Sequence, residues 1–228
     1  MRVRYPDVQI PYPATGERAM TDAPPDVVSV HDEPRHRFRF RNDHAYVYDV
    51  LIPPADVTLY HSHNEDTLYV AIAGAHVCNQ PLGQDAQIGD VAKGTIMVMP
   101  HRTKPIVHQV TNKGDADMRL IGAEILASPP VVAETALSAP GLTLASEKPR
   151  VRTYTVVLEP DASTGDMACA FSGLLIVISG GVIEIAGADG ARTLSLSPGD
   201  AIWHDGPVRQ RLTNRGAAPF EAVLGEWR

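Results

Sequence analysis

The chain has 228 residues, of which 44% are hydrophobic, and it carries a formal net charge of −7 from 20 basic and 27 acidic residues. The acidic balance and the lack of clustered positive charge exclude a nucleic-acid-binding surface. Two cysteines make no disulfide framework, and neither a signal-peptide segment nor an apolar run of membrane-spanning length is present. We therefore expect a soluble cytoplasmic protein with no nucleic-acid or membrane partner.

Alternating apolar and polar residues dominate the sequence and predict short β-strands separated by Gly, Pro and Asn turns. The first such stretch, 35–41, predicts a strand with Phe38 and Phe40 facing inward and its arginines facing water. The candidate strands that follow span 44–52, 56–63, 67–73, 75–81, 95–99, 106–111 and 118–126. Strands at this spacing are typical of an all-β sandwich or barrel.

The second half of the chain repeats the pattern of the first. The apolar segment 68–74 (LYVAIAG) matches 174–180 (LLIVISG), and the turn 111–114 (TNKG) matches 213–216 (TNRG) in the same order. Two matches in one order, flanked by similar strand patterns, predict a duplicated domain.

Between the two halves, residues 128–149 are rich in Ser, Ala and Pro, which predicts a linker with room for one short helix. We therefore divide the chain into three parts. Residues 1–127 hold an N-terminal segment and a first barrel, 128–149 a linker, and 150–228 a degenerate second barrel without a metal.

Histidines supply the strongest chemical signal. In His61-Ser62-His63 the two imidazoles lie at i and i+2 of a strand and therefore point to the same face. His108 lies on an apolar strand of the same half, and a third imidazole completes one face of a tetrahedral or octahedral metal site. We predict that these three residues bind one divalent transition metal.

The duplication tests this interpretation. In the register of the repeat, the three histidines fall on residues of the second half that are not histidines: Met167, Cys169 and Gln210. If the imidazoles only filled space in a barrel, their loss as a set would be a coincidence. The repeat therefore favours a metal site in the first half.

The histidine spacing resembles that of the cupins, and the repeat makes the chain similar to a bicupin. The first cupin motif, G-x5-H-x-H-x3,4-E-x6-G, is matched by His61, His63 and Gly74. The second, G-x5-P-x-G-x2-H-x3-N, is matched, with three extra residues before the histidine, by Gly94, Pro100, His108 and Asn112. The resemblance implies an all-β fold of two tandem jelly-roll barrels, each a double-stranded β-helix.

One departure from the cupin pattern changes the expected chemistry. Thr67 stands where the motif has its glutamate ligand, and only a shifted turn would bring Glu65 to the metal as an extra ligand. Three neutral imidazoles leave the full 2+ charge on the ion, which favours an anionic substrate or a metal-bound hydroxide.

Three-histidine cupins resemble the cysteine dioxygenase and acetylacetone-cleaving dioxygenase types, which implies an Fe(II) dioxygenase acting on a small chelating anion. Imidazole ligands also suit Zn, Ni or Mn, so two alternatives stay open. One is a metal-stabilised binding or sensing module without turnover, and the other is a non-redox isomerase or lyase.

Strand parity gives a set of candidate pocket residues, although a role in the barrel core is the better explanation for each of them. Tyrosines among them offer proton donors. The set, with a loop histidine that we expect to be exposed, is Thr67, Tyr69, Tyr46, Tyr48, Met97, Met99 and His101. No catalytic residue is assigned. The cupin resemblance also implies a homodimer, with residues 30–42 available for strand exchange.

Overall fold

The computed structural model describes residues 26–228, and every regular element in that part of the chain is a β-strand. The strands of the first half are β1 (Val27–Ser29), β2 (His36–Arg41), β3 (Ala45–Ile52), β4 (Tyr60–His63), β5 (Thr67–Ala73), β6 (Ala75–Pro81), β7 (Gln87–Val91), β8 (Ile96–Met99), β9 (Ile106–Asn112) and β10 (Met118–Ile125). Those of the second half are β11 (Leu142–Lys148), β12 (Val151–Leu158), β13 (Met167–Cys169), β14 (Gly173–Ser179), β15 (Gly181–Gly187), β16 (Gly190–Leu196), β17 (Ala201–His204), β18 (Val208–Asn214) and β19 (Phe220–Trp227).

The two halves repeat one topology. In the first half the sheets have the orders β1-β4-β9-β6-β7 and β2-β3-β10-β5-β8. In the second half the orders are β13-β18-β15-β16 and β11-β12-β19-β14-β17, which is the same arrangement without a counterpart of β1. Each pair of sheets forms a jelly-roll barrel, so the predicted all-β fold with two tandem barrels is confirmed.

The register of the repeat is reproduced residue by residue. His61 on β4 pairs with His108 on β9, and Met167 on β13 pairs with Gln210 on β18. The sequence alignment of the two halves, in which the three histidines fall on other residues, therefore compares equivalent positions of the two barrels.

The repeated Thr-Asn-x-Gly turns have a structural role. The Asn112 side chain is fully buried and donates to the backbone carbonyls of Ile52 and Ala116, while its Oδ1 accepts from the N–H of Gly114. Asn214 makes the same three bonds in the second barrel. Because these bonds satisfy buried backbone groups, the turn is retained whether or not a barrel has histidines.

Several local expectations were wrong. A register shift between Phe38 and Phe40 in β2 breaks the alternation, so Phe38 is 59% exposed while Phe40 packs inward. Strand β7 was missed because it contains Gly and Asp, and its Ile88 is 64% exposed. The short helix expected within 128–149 is not formed, and residues 142–148 of that segment are β11, paired with β12.

The segment before β11 packs against the second barrel. Arg152 donates to the backbone carbonyls of Ala133 and Glu134, and the N–H of Leu137 donates to the hydroxyl of Tyr154. Leu137 also packs on the core of that barrel. The connecting segment is therefore part of the second barrel's packing.

The barrels share a core at the contact between them. Side chains from β3, β5 and β10 of the first barrel pack against β14 and β19 of the second. At its centre lies the fully buried Trp227, whose indole N–H donates to the carbonyl of His44. Residues 26–228 contain no helix long and apolar enough to cross a membrane.

Candidate metal centre

Three histidines converge inside the first barrel. His61 and His63 are 1% and 2% exposed on β4, and His108 reaches them from the neighbouring β9. Their ligand nitrogens all lie within 4.8 Å of one another, and the ring centroids are 4.7 to 5.0 Å apart. The i, i+2 spacing on one strand and the cross-strand pairing produce this convergence together.

Hydrogen bonds fix how two of these rings are oriented. Nδ1 of His61 lies 2.8 Å from the carbonyl oxygen of Leu59, and Nδ1 of His108 lies 2.7 Å from Oδ1 of Asn79. Each Nδ1–H is therefore the donor, which leaves the lone pair on Nε2. Nε2 of His108 is buried without a hydrogen-bond partner among the described residues. A buried acceptor left unpaired in this way indicates a missing partner, and a metal ion fits that description.

Burial also keeps the rings neutral. It lowers the pKa of His108 to about 3 and depresses the pKa of His61 and His63 below the usual histidine range, since a charged imidazole is poorly solvated there. Neutral imidazoles are the form that binds metals, so the site is ready for a cation at neutral pH.

The third ring is held by tyrosines. The hydroxyl of Tyr69 lies 3.2 Å from Nδ1 of His63 and 3.0 Å from the hydroxyl of Tyr48. Burial raises the pKa of both tyrosines, so both hydroxyls stay protonated. Gly122 makes room for Tyr48, because a Cβ there would lie 2.5 Å from the tyrosine ring.

Two further histidines border the group. His101 is 4% exposed rather than exposed as expected, and its ring stacks on His63 with centroids 5.0 Å apart. His36 on β2 packs edge-on against His61 at 4.8 Å and its Nδ1 donates to the carbonyl of Val30. Sequence reasoning missed His36 because its Arg-rich neighbours suggested a solvated strand.

The two residues considered as a fourth ligand, Thr67 and Glu65, have other partners. Thr67 is buried and its hydroxyl donates to the carbonyl of Glu65 at 2.8 Å. The Glu65 carboxylate lies 3.3 Å from Arg102 and 3.9 Å from Arg150. Among residues 26–228, the group that could hold a metal ion contains the three histidines and no carboxylate.

The other pocket candidates lie on one face of their sheet by strand register. Tyr46 and Met97 are partly buried against the core of that barrel, and Met99 is 38% exposed. Sequence reasoning missed Glu124, which is 2% exposed on the same face of β10 and pairs across the sheet with both Tyr46 and Thr67. Its position opposite Glu226 in the repeat was the available signal.

No protein-family model matches this sequence, and no curated protein does. Solved structures match over most of the chain. A mutant of salicylate 1,2-dioxygenase from Pseudoaminobacter salicylatoxidans, in complex with gentisate, has a TM-score of 0.62 at 13% identity, covering 87% of this chain and 75% of that chain. AerE from Microcystis aeruginosa has a TM-score of 0.58 at 12% identity, covering 86% and 98%. A cupin 2 conserved barrel domain protein from Leptotrichia buccalis has a TM-score of 0.52 at 8% identity, covering 85% and 88%.

The chain has the cupin fold. At these identities the likeness is one of fold, and the site must be argued from its own residues. The donor set of the first cupin barrel, three nitrogens with partnered Nδ1 atoms, suits a divalent first-row transition metal. Three ligands on one face leave further coordination positions open for other molecules.

The second cupin barrel has a different interior at the equivalent place. A cavity of about 30 Å³ remains there, lined mainly by apolar side chains such as Leu175, Ile185 and Leu224 beside Met167 and Gln210. That volume is comparable to one water molecule. Burial raises the pKa of the nearby Cys169 to about 11, so its thiol stays protonated.

Proposed function

We propose that the chain is a mononuclear non-haem Fe(II) dioxygenase that acts on a small, chelating, anionic substrate. The observation that carries the proposal is the convergence of three neutral imidazoles from His61, His63 and His108 without a carboxylate among the described residues of the group. Such a set leaves a 2+ charge uncompensated, and a bidentate anion compensates it best.

The chelating anion is supported by a second consideration. The salicylate 1,2-dioxygenase mutant whose fold matches this chain was solved with gentisate, a compound that carries a carboxylate beside a hydroxyl group. Bound Fe(II) would supply the coordination positions at which substrate and dioxygen meet. A β-dicarbonyl, a thiol acid or a hydroxybenzoate each offers two donor atoms at a suitable spacing.

The residues of the chain would orient and shield the reaction. Leu59 and Asn79 fix two imidazoles, and Tyr69 links the third to Tyr48. Because Tyr48 and Tyr69 are hydrogen-bonded to each other, the pair would offer one hydroxyl donor to an anion in the barrel. Met97, with the apolar core around it, limits the access of bulk water.

Oxygen consumption tests the proposal. Protein loaded anaerobically with Fe(II) is mixed with acetylacetone, cysteine, salicylate or gentisate in an oxygen electrode. We expect oxygen uptake with at least one of these compounds. The variants His61→Ala and His108→Ala should lose both the oxygen uptake and the bound iron. The matched control is His76→Ala, since His76 is half-exposed and bonded to Asp90 away from the group.

Two results would count against a dioxygenase. No uptake above the His108→Ala background with any of the four compounds would contradict the oxygen chemistry. Elemental analysis that finds a tightly held zinc after growth with all first-row metals would favour the isomerase or lyase alternative.

A further inference from the structure

The second barrel carries donor atoms at the positions that correspond to the metal centre of the first. In the register shared by the two barrels, the residues that replace the three converging histidines are Met167, Cys169 and Gln210. Met167 and Cys169 are 2% and 1% exposed. A buried thioether, a buried thiol and an amide therefore stand where the first barrel has three imidazoles.

An imidazole fills the fourth position of the same set. Gly173 occupies the position that is Thr67 in the first barrel and glutamate in the cupin motif. Nε2 of His204 lies 3.0 Å from the point that a Cβ at Gly173 would occupy. Because Gly173 has no side chain, the ring of His204 enters this place from the neighbouring strand β17.

The imidazole of His204 has no partner that explains its burial. Both of its ring nitrogens are buried, and neither makes a hydrogen bond to any residue between 26 and 228. The side chain lines the cavity of about 30 Å³ in the second barrel, together with Met167 and Gln210. A cavity of this size has room for one atom-sized ligand. The unpaired nitrogens beside it indicate that such a ligand is missing.

The thiol of Cys169 borders the same place. Burial alternates from Met167 to Phe171, so the side chains of Met167, Cys169 and Phe171 share one face. Met167 lines the cavity, and the ring of Phe171 lies 5.7 Å from that of His204. Cys169 thus lies between two residues that border the cavity or His204. Its Sγ is 3.9 Å from Nε2 of Gln210, which also lines the cavity.

The donor set and its surroundings select the ion. Thioether and thiolate sulfurs favour Cu(I), and imidazole binds copper as well. The cavity is lined mainly by apolar side chains such as Leu175 and Leu224. One thiolate fully neutralises a monovalent cation, whereas a divalent cation would leave an uncompensated positive charge in this apolar interior, at a large cost.

We propose that the second barrel binds one Cu(I) ion through Met167, Cys169 and His204. On binding, the S–H bond of Cys169 breaks, a bond between Cu(I) and Sγ forms, and the proton leaves to water. Sδ of Met167 and one ring nitrogen of His204 each donate a lone pair, and no electron is transferred. The site is separate from the three histidines of the first barrel and does not depend on the function proposed for them.

Anaerobic titration with Cu(I) tests the proposal. Its affinity is measured by competition with the chromophoric chelator bicinchoninate, and the thiolate bond by the ultraviolet charge-transfer absorption of Cu(I)–thiolate. We expect this absorption to saturate at one Cu(I) per chain and to be lost in Cys169→Ser. Met167→Leu nearly conserves volume and should weaken the binding at least about 10-fold, because a donor is removed. His108→Ala should retain the absorption, since its effect is confined to the first barrel.

The matched control is Cys78→Ser, the same substitution at the half-buried cysteine on β6 of the first barrel, and it should bind Cu(I) as the unmodified chain does. Absorption that persists in Cys169→Ser, that is lost equally in Cys78→Ser, or that the unmodified chain never shows overturns the proposal. Loss in His108→Ala alone would place the copper in the first barrel and overturn it as well. If circular dichroism shows that Cys169→Ser is unfolded, Met167→Leu decides, and an unchanged Cu(I) affinity in that variant overturns the proposal.

Discussion

At the scale of single residues, the hydrogen bond that a histidine makes through its other ring nitrogen affects how tightly that histidine would bind a metal. Asn79 accepts the Nδ1–H of His108, and the equivalent position of the second barrel is occupied by Ile185, which offers no acceptor. Loss of such an outer partner typically lowers metal affinity about 10- to 100-fold, because the ring orientation and tautomer are no longer fixed.

We therefore expect Asn79→Leu to weaken Zn(II) binding by about 10- to 100-fold in a competition titration. Asn79→Asp retains an acceptor oxygen and should bind at least as tightly as the unmodified chain. Equal affinities for the leucine and aspartate variants would show that His108 does not need this bond.

Residue identities were predictable where a period or a motif specifies them. The alternation of a strand places His61 and His63 on one face, and the motif spacing adds His108. The burial of His36 and His101 was not predictable, because it results from packing against side chains that are distant in the sequence. The prediction that Phe38 faces inward was wrong, because a register shift in β2 reverses which side chains face the core.

At the scale of the elements, strand β17 contains His204, whose protonation destabilises the folded chain. Burial lowers the pKa of His204 to about 4, with Asp205 opposing the shift, and neither ring nitrogen has a hydrogen-bond partner among the described residues. Its packing neighbour is the ring of Phe171 at 5.7 Å. The unfolded chain takes up a proton near pH 6.5, so His204 lowers stability progressively as the pH falls from about 6.5 to about 4.

In the first barrel, the position equivalent to His204 is occupied by Met99. The substitution His204→Met therefore introduces the side chain that the first barrel has at this position. Between pH 7 and pH 5, the free energy of unfolding measured with urea should fall by about 2 kcal/mol less in this variant than in the unmodified chain. The variant should be at least as stable at pH 7, because no hydrogen bond is removed. Identical pH dependence of the two proteins would contradict the shift assigned to His204.

The bounds of a strand were predictable where the alternation of apolar and polar residues reflects which side chains are buried in the fold. Strands β5 and β6 have the bounds expected from alternation and turn residues. Strand β7 and the early part of β11 carry weak patterns, since both are largely exposed and pair through backbone groups. The packing of residues 133–137 against the second barrel depends on hydrogen bonds from Arg152 and to Tyr154, which no local pattern reveals.

At the scale of the whole molecule, the shared core couples the two barrels. Leu68, Val70 and Ile121 of the first barrel lie in one cluster with Leu174 and Trp227 of the second. A cluster of this kind cannot be half-formed without exposing apolar surface, so we expect the barrels to unfold together.

The position of the tryptophans makes this coupling measurable. Both tryptophans of the chain, Trp203 and Trp227, belong to the second barrel, whereas the three converging histidines belong to the first. A ligand that binds only the folded state adds about 2.7 kcal/mol when its free concentration is about 100 times its Kd. With Zn(II) at that excess, the urea midpoint reported by tryptophan fluorescence should rise, although no tryptophan lies in the first barrel. The His108→Ala variant should show no rise. A tryptophan midpoint that stays fixed while circular dichroism shows part of the chain unfolding at higher urea would mean that the barrels unfold independently, because the stabilisation by the metal would then end at the shared core.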